Sequence, residues 1–515
     1  MSSSPGGSAV SQTGPPAWDG APVGGPGREG WILPFTAALA AALAGVGLAA
    51  AVSWIDWRWI LLALSATAVV LPCGVLVLRG RLDLFEPLTW FGLTFLLFFV
   101  ARPAWDLAHE NFIYTGRLIA PTFTRMLVAA LLAGVGFVIG YLIPAGGSVA
   151  LRLPRPPRVD HRRLLIWAGL VLAVALIAFV GFFVQVHGWR NPAQFFFGQN
   201  RIRFQAIAST PEATSKYFIV SIVLLIPAAL LFLSIAQGAN GDDRTRRLAK
   251  WAAIASILAF LLITFPAGQR RYVIGMLGAL ATYYYLRRNR RPSVLVLVVI
   301  ALVGLTVVSA VRDLRHEGNP EPYQWLPWNA VSPLLDRQDT GVAPALATEM
   351  LVVPDDLHYT YGRTTILGPL ITAVPRKLWS GKPRPPNQEI LGEVWGGKPC
   401  TFGGQCSTFS PFGEPYRDAG LVGVFIFAVL FGAFWRTAWL YYLRHRETAV
   451  AMVAYCTLLP FMITWMHGNF ILPAMQVILT LGVVFVGAVL CRARSDGAGT
   501  VAPSARAWQP TGGRD

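Results

Sequence analysis

LLIWAGLVLAVALIAFVGFFVQV, residues 164–186, decides the fold class. It carries no charge from end to end. A helix rises about 1.5 Å per residue, so about 20 apolar residues cross a hydrocarbon core roughly 30 Å thick. ILPAMQVILTLGVVFVGAVL, residues 471–490, has the same character. Apolar runs recur at 31–53, 59–78, 87–101, 124–143, 217–236, 251–265, 272–286, 293–311, 421–443 and 449–466. Together they predict about twelve transmembrane helices. Composition agrees: 54% of the 515 residues are hydrophobic and 13% charged, about half the charged share of a soluble domain. The expected fold class is an all-α polytopic membrane protein. The run at 87–101 is the weakest and is expected to continue into the connection after it.

Alternate connections are short and basic. Arg79 and Arg81 lie in one; Arg152, Arg155, Arg158, Arg162 and Arg163 in the next. Then come Arg244, Arg246, Arg247 and Lys250, followed by Arg287, Arg288, Arg290 and Arg291, and finally Arg444 and Arg446. Basic connections stay in the cytoplasm, which places both termini there, and Arg492 and Arg494 after the final run agree. The net charge of +17 is read as these loops, so nucleic acid is excluded as a partner. Arg436, near the inner end of its run, is expected to snorkel to the cytoplasmic face.

The organisation follows from these boundaries. Residues 1–30, rich in Gly, Pro and Ser, form a tail expected to be disordered. The first apolar run begins at Trp31 with no basic flank, so no cleavable signal peptide is expected. Helices one to nine occupy 31–311, and helices ten to twelve occupy 421–490. Residues 491–515 form a disordered cytoplasmic tail. Between them, 312–420 is an extracytoplasmic loop of about a hundred residues, a length that marks function or disorder. Its Trp, Tyr, Phe and Pro content predicts order. No internal repeat is evident, so an inverted-repeat transporter is not signalled.

Several groups in the outer segments bear chemistry. Runs seven and eight are about 15 residues each, reaching about 22 Å, so their junction FPAGQRRY is expected to sit below the outer surface. Arg270 and Arg271 would then be half-sunk cations, serving either a lipid pyrophosphate or the headgroups around an interfacial hairpin. Arg201 and Arg203 lie among aromatics in the 187–216 connection, and fit either a polyanion site or a surface anchor. Asp355, Asp356 and His358 precede YTYGR, and Glu414 lies in SPFGEPYRDAG. Each could accept a proton, cap a helix or pair with an arginine. Arg363 and Arg376 add cations on the same loop. Cys400 and Cys406, in CTFGGQC, are either bridged or two free thiols; no His lies near to suggest a metal. Cys73, Cys456 and Cys491 read as small hydrophobes. No GxxxxGK[ST], HExxH or GxSxG is present, which leaves NTPase, zincin and hydrolase readings without a motif.

Read in order, these pieces resemble a family. ITAVPRKLWSGKPRPP (371–386) followed by STFSPFGEPYRDAGLVGV (407–424) is similar to the oligosaccharide repeat-unit polymerases, the Wzy-type O-antigen polymerases. The carrying positions are Pro375, Arg376, Leu378, Trp379, Lys382, Pro383, Ser407, Ser410, Glu414, Tyr416, Gly420 and Gly423. Asp355 with Tyr361 and Gly362, and Gly268 with Arg270, stand in the same order before them. The resemblance covers roughly 265–435. One departure is plain: no arginine in 312–420 has a glycine eleven positions on, a spacing described in some members.

The resemblance implies a metal-independent, cofactor-free glycosyltransferase with a GT-C-like plan in the bacterial cytoplasmic membrane, its active site facing outward. Undecaprenyl-pyrophosphate-linked glycans would be its substrates, membrane lipids its surroundings, and flippase and chain-length regulator proteins its partners. Arg270, Arg271, Arg376, Arg363 and Lys382 would hold pyrophosphate. Tyr361, Trp379 and Tyr416 would line the sugar path, and Glu414 or Asp355 would act as base, with Asp356 and His358 beside them. An O-antigen ligase shares this plan with another acceptor, and a lipid-linked sugar flippase is the reading from a different class.

Overall fold

The computed structural model describes residues 56–78, 83–197, 212–238, 242–264, 270–290, 292–293, 296, 340–374, 378–383, 386–395 and 410–493. The chain divides into two units, residues 1–60 and 61–515. The architecture is helical: α1 Trp57–Leu78, α2 Pro87–Phe95, α3 Arg102–Ala108, α4 Ala120–Leu142, α5 Ala145–Arg152, α6 His161–Gln185, α7 Pro192–Phe197, α8 Glu212–Ala236 and α9 Asp243–Thr264. Then follow α10 Arg270–Arg287, α11 Val342–Val352, α12 Gly368–Ala373, α13 Pro386–Trp395, α14 Gly413–His445, α15 Ala449–Leu458, α16 Phe461–Met466 and α17 Ile471–Leu490. One two-residue hairpin, β1 Ile113–Tyr114 with β2 Arg117–Leu118, pairs Ile113 with Leu118.

Among the described residues nine helices are long and apolar enough to cross a membrane. The protein is thus an all-α polytopic membrane protein. The expected run at 31–53 lies outside the described residues, as does that at 293–311 apart from residues 293 and 296. So do Arg201, Arg203, Arg376, Cys400, Cys406, residues 1–30 and residues 494–515, while of Arg270 only the helical backbone is described.

The weak run at 87–101 does continue. Proline opens α2, where an absent N–H costs nothing. A π-helical turn at Leu96–Ala101 then joins α2 to α3, giving one span over Pro87–Ala108. Its end holds a buried Arg102–Asp106 ion pair of 2.9 Å. The helices run further than the apolar runs seven and eight: α9 has 22 residues and α10 has 18. α9 starts at Asp243 because charged residues continue a helix beyond the apolar core. Residues 265–269 of the junction expected to be sunken lie outside the described residues.

The core of the bundle is the packing of α14 on α4. Gly136 and Gly140 present a small-residue stripe on α4, and Gly432 faces it from α14. A Cβ on Gly140 would lie 1.9 Å from the Val429 carbonyl oxygen, and one on Gly432 2.1 Å from that of Phe137. The two backbones touch, as small-xxx-small helix pairs do in membranes. Arg436 does not simply snorkel. Its Nη1 lies 3.5 Å from Glu86 Oε1, which also accepts the Tyr141 hydroxyl at 2.7 Å.

The described basic connections share one end. Arg444 donates to the Leu151 carbonyl (2.8 Å), Tyr441 to that of Pro154 (3.1 Å) and Arg287 to that of Gln237 (3.2 Å), while Val159 bridges to Arg492. The opposite end gathers α11 to α13 around the first turns of α4, α14 and α17. Thr122 Oγ1 there donates to the Ala347 carbonyl at 2.7 Å, and Phe470 N–H to Glu414 at 3.1 Å.

Gly140→Val is expected to destabilise the bundle by about 1–3 kcal/mol through overpacking. Thermal unfolding in detergent checks this against Gly169→Val, whose added atoms meet nothing within 4 Å at the Cβ position.

Candidate functional site

α14 opens with Glu-Pro-Tyr-Arg-Asp and then breaks. Ala419 (φ −156°, ψ 32°) and Gly420 (φ 60°, ψ −143°) are non-helical. Gly420 adopts the positive φ that a side chain resists, and a Cβ there would also meet the Tyr359 hydroxyl at 2.9 Å. The break separates one turn of helix from the membrane span. Glu414, Arg417 and Asp418, spaced i, i+3 and i+4, share a face of that turn and all three are buried.

The break also frees carbonyls at the end of the turn. Those of Arg417 and Asp418 accept the N–H groups of Thr360 and Tyr361, both at 3.0 Å. Tyr361 and Gly362 have φ of 48° and 89°, so the 360–365 segment reverses tightly against α14. The Asp418 carboxylate then holds that segment. It accepts from Thr360 Oγ1 and Thr364 Oγ1 at 2.5 Å each, from Thr364 N–H at 3.0 Å and from Thr365 N–H at 2.9 Å.

Beside this junction is a cleft of about 70 Å³, whose walls include Thr360, Arg363, Thr364, Lys382, Glu389 and Arg417. Three chain segments contribute one cation each. Arg417 Nη2 meets Glu389 Oε2 at 2.5 Å. Lys382 is buried, and its Nζ donates to the carbonyls of Thr372 (3.1 Å) and Val374 (2.9 Å). It thereby caps the end of α12, where a cation meets the negative end of the helix. Arg363 is exposed at the rim. Chemically the cleft suits a small anion with a carboxylate alongside. Among the described residues no group of three or more His, Cys, Asp or Glu is placed to hold a metal ion.

Of the residues anticipated from sequence, Arg363 and Lys382 line the cleft and Trp379 lies just before Lys382, its carbonyl accepting the Lys382 N–H at 3.1 Å. Tyr361 is exposed beside the rim. Asp355, Asp356 and His358 are exposed beyond α11 and do not line it. Arg271 Cζ lies 5.0 Å from the Tyr272 ring centroid, also away from the cleft. Tyr416 is buried and hydrogen-bonded by Arg125. Glu414 is buried away from the cleft walls, and its carboxylate accepts the N–H groups of Phe470 and Ile471 at the start of α17. Sequence reasoning missed Arg417, Asp418 and Glu389. The first two stood in the quoted string, one turn from Glu414.

Sequence reasoning also passed over Glu349, fully buried on α11. Burial first, and the Glu414 carboxylate second, hold its carboxyl well above the usual range, against the opposing pull of Arg417 and a hydrogen bond from the Ser410 backbone. Its Oε2 is buried without a partner.

No family model, no curated protein and no solved structure matches the chain.

Two outcomes are expected from these contacts. Asp418→Ala strands the donors of the 360–365 segment and should cost about 1–3 kcal/mol, more than Asp418→Asn, as read by thermal unfolding in detergent. For Glu349, the folded state keeps its proton at pH values where the unfolded state has lost it. Its contribution to stability therefore falls as pH rises above the unfolded value of 4.5. Glu349→Gln should match the wild type in acid and exceed it in melting temperature at alkaline pH.

Proposed function

We propose that the protein polymerises undecaprenyl-pyrophosphate-linked oligosaccharide repeat units at the outer face of the bacterial cytoplasmic membrane. The observation that supports this reading is the cleft that brings Arg363, Lys382 and Arg417 together beside Glu389, on the segment that carries the family resemblance. It lies at the end of the bundle opposite the arginine-rich connections, which by charge belong in the cytoplasm. The topology we propose has twelve spans: the nine apolar helices, α10, and the runs at 31–53 and 293–311, with both termini inside.

In this reaction an acceptor sugar hydroxyl attacks the anomeric carbon of the donor glycan. The new C–O bond forms as the bond to pyrophosphate breaks, and the leaving group departs with both electrons. Arg363, Lys382 and Arg417 stabilise the charge developing on it. Glu389, the carboxylate on the cleft wall, takes the hydroxyl proton. The cleft holds the phosphates, and the glycan extends over the exposed ring of Tyr361 and the half-exposed ring of Trp379 at its rim.

The test is purified protein in lipid vesicles supplied with undecaprenyl-pyrophosphate oligosaccharide, products being resolved by size. A ladder spaced by one repeat unit is expected. Transfer only to an added, different acceptor would make the protein a ligase. Passage of intact lipid-linked sugar across the vesicle wall without bond formation would make it a transporter. Loss of a charge-assisted contact is worth about 1.5–3 kcal/mol. Arg363→Ala, exposed and so harmless to folding, should therefore slow ladder growth about tenfold to a hundredfold.

A further inference from the structure

The segment after the Asp418 clamp is built inside out for water. The π-helical turn Arg363–Leu367 runs directly into α12, Gly368–Ala373. Its covered side holds no large aliphatic side chain: Thr364 is 5% exposed, and Gly368 and Pro369 are buried. Its uncovered side is apolar, with Ile366 71% and Leu370 63% exposed. Leu378, 81% exposed, and Trp379, 42% exposed, add apolar surface beyond the helix. A segment facing water would show the reverse arrangement, and contiguous exposed apolar surface marks a site of contact.

Three features of the structure identify what covers it. The first is continuity. α12 packs on α17, so closely that a Cβ on Gly368 would lie 2.8 Å from Ile471 Cδ1. The uncovered face of α17, with Ile478, Val486 and Val489 exposed, is one of the nine apolar spans. The apolar surface of the segment is thus the upward continuation of a lipid-facing helix. The second is composition: an exposed cation borders the patch at Arg363, and rings stand at Tyr361 and Trp379. Basic residues with aromatic and Leu side chains opposite characterise helices that lie in the membrane interface. The third is the contrast with the residues just before, since the exposed side chains there are Asp355, Asp356 and His358.

We propose that residues 363–374 and 378–379 dock into the headgroup–acyl boundary of the bilayer, with Ile366, Leu370, Leu378 and Trp379 among the acyl chains. The partner of this surface is membrane lipid. The cleft then opens at headgroup depth, so that an anionic lipid headgroup reaches Arg363 sideways from the leaflet. This docking does not depend on the polymerase reading, and it is measured without any sugar substrate.

The experiment places an environment-sensitive fluorophore on Ile366→Cys, Leu378→Cys and Asp356→Cys in vesicles, with the wild-type chain labelled in parallel to subtract its 5 native cysteines. The labels at 366 and 378 are expected to be quenched by lipids brominated near the headgroup end of the acyl chain and shielded from aqueous iodide. The label at 356 should behave oppositely. Iodide quenching at 366 and 378 equal to that at 356 would overturn the proposal. So would shielding from iodide without quenching by brominated lipid, which would mean that protein covers the patch. A second measurement needs no substitution. A photoreactive lipid carrying its reactive group near the glycerol is cross-linked to the native protein, and adducts are mapped by mass spectrometry. Adducts on 366–370 and 378–379 are expected, and their absence while α17 is labelled would equally overturn it.

Discussion

The backbone contact between α4 and α14 is the constraint on which the rest depends. Between helices in lipid there is no hydrophobic drive, because the acyl chains are as apolar as the side chains. Close approach of backbones supplies dispersion contacts in its place. Gly136, Gly140 and Gly432 permit that approach in the middle of the bundle. At the basic end the same pair is tied by Arg436, Glu86 and Tyr141. The axis of α14 is therefore set at two depths before its first turn contributes anything to the cleft.

The break at Ala419–Gly420 converts that fixed axis into a site. An unbroken helix would carry its intrahelical hydrogen bonds through residues 417 and 418. The break frees their carbonyls, and the 360–361 amides take them. The Asp418 side chain then completes the junction with the threonines. A segment far along the chain is thus fixed to α14 by main chain and side chain together, and Arg363 follows three residues after the clamp begins. Arg417, on the same turn, reaches the cleft from the other wall. The two cations hold a defined relation because both hang from one rigid turn.

The apolar periodicity made the spans legible, since 20 uninterrupted apolar residues have few alternatives. The ends of the spans were less so. α9 begins at Asp243 because helix propensity does not stop where hydropathy does, and α2 passes through a π-turn into α3 that no local signal announces. At the site, Arg363 and Lys382 were legible through the resemblance. Glu414 was noticed for its position before a span, but its role depends on the amides of Phe470 and Ile471, which lie more than fifty residues away. Arg417 and Asp418 share its helical face, so the i, i+3, i+4 spacing carried the signal. What it could not carry was the partner, because the pairing of 360–365 with 414–418 is a tertiary contact.

The buried charges at this end show how the chain resolves a cost. Removing an ion from water is unfavourable by several kcal/mol unless its partners replace the lost hydration. Asp418 gains four donors, and Arg417 the carboxylate of Glu389. Glu349 has only the Ser410 amide for one oxygen and nothing for the other, so it meets the cost in the remaining way, by keeping its proton. Its carboxyl lies against Gly413, where a Cβ would sit 1.9 Å from Oε2. Only glycine at that position lets α11 reach the first turn of α14. The neutral acid thus serves as packing, and it holds α11 against the turn from which two of the cleft's charged groups are suspended.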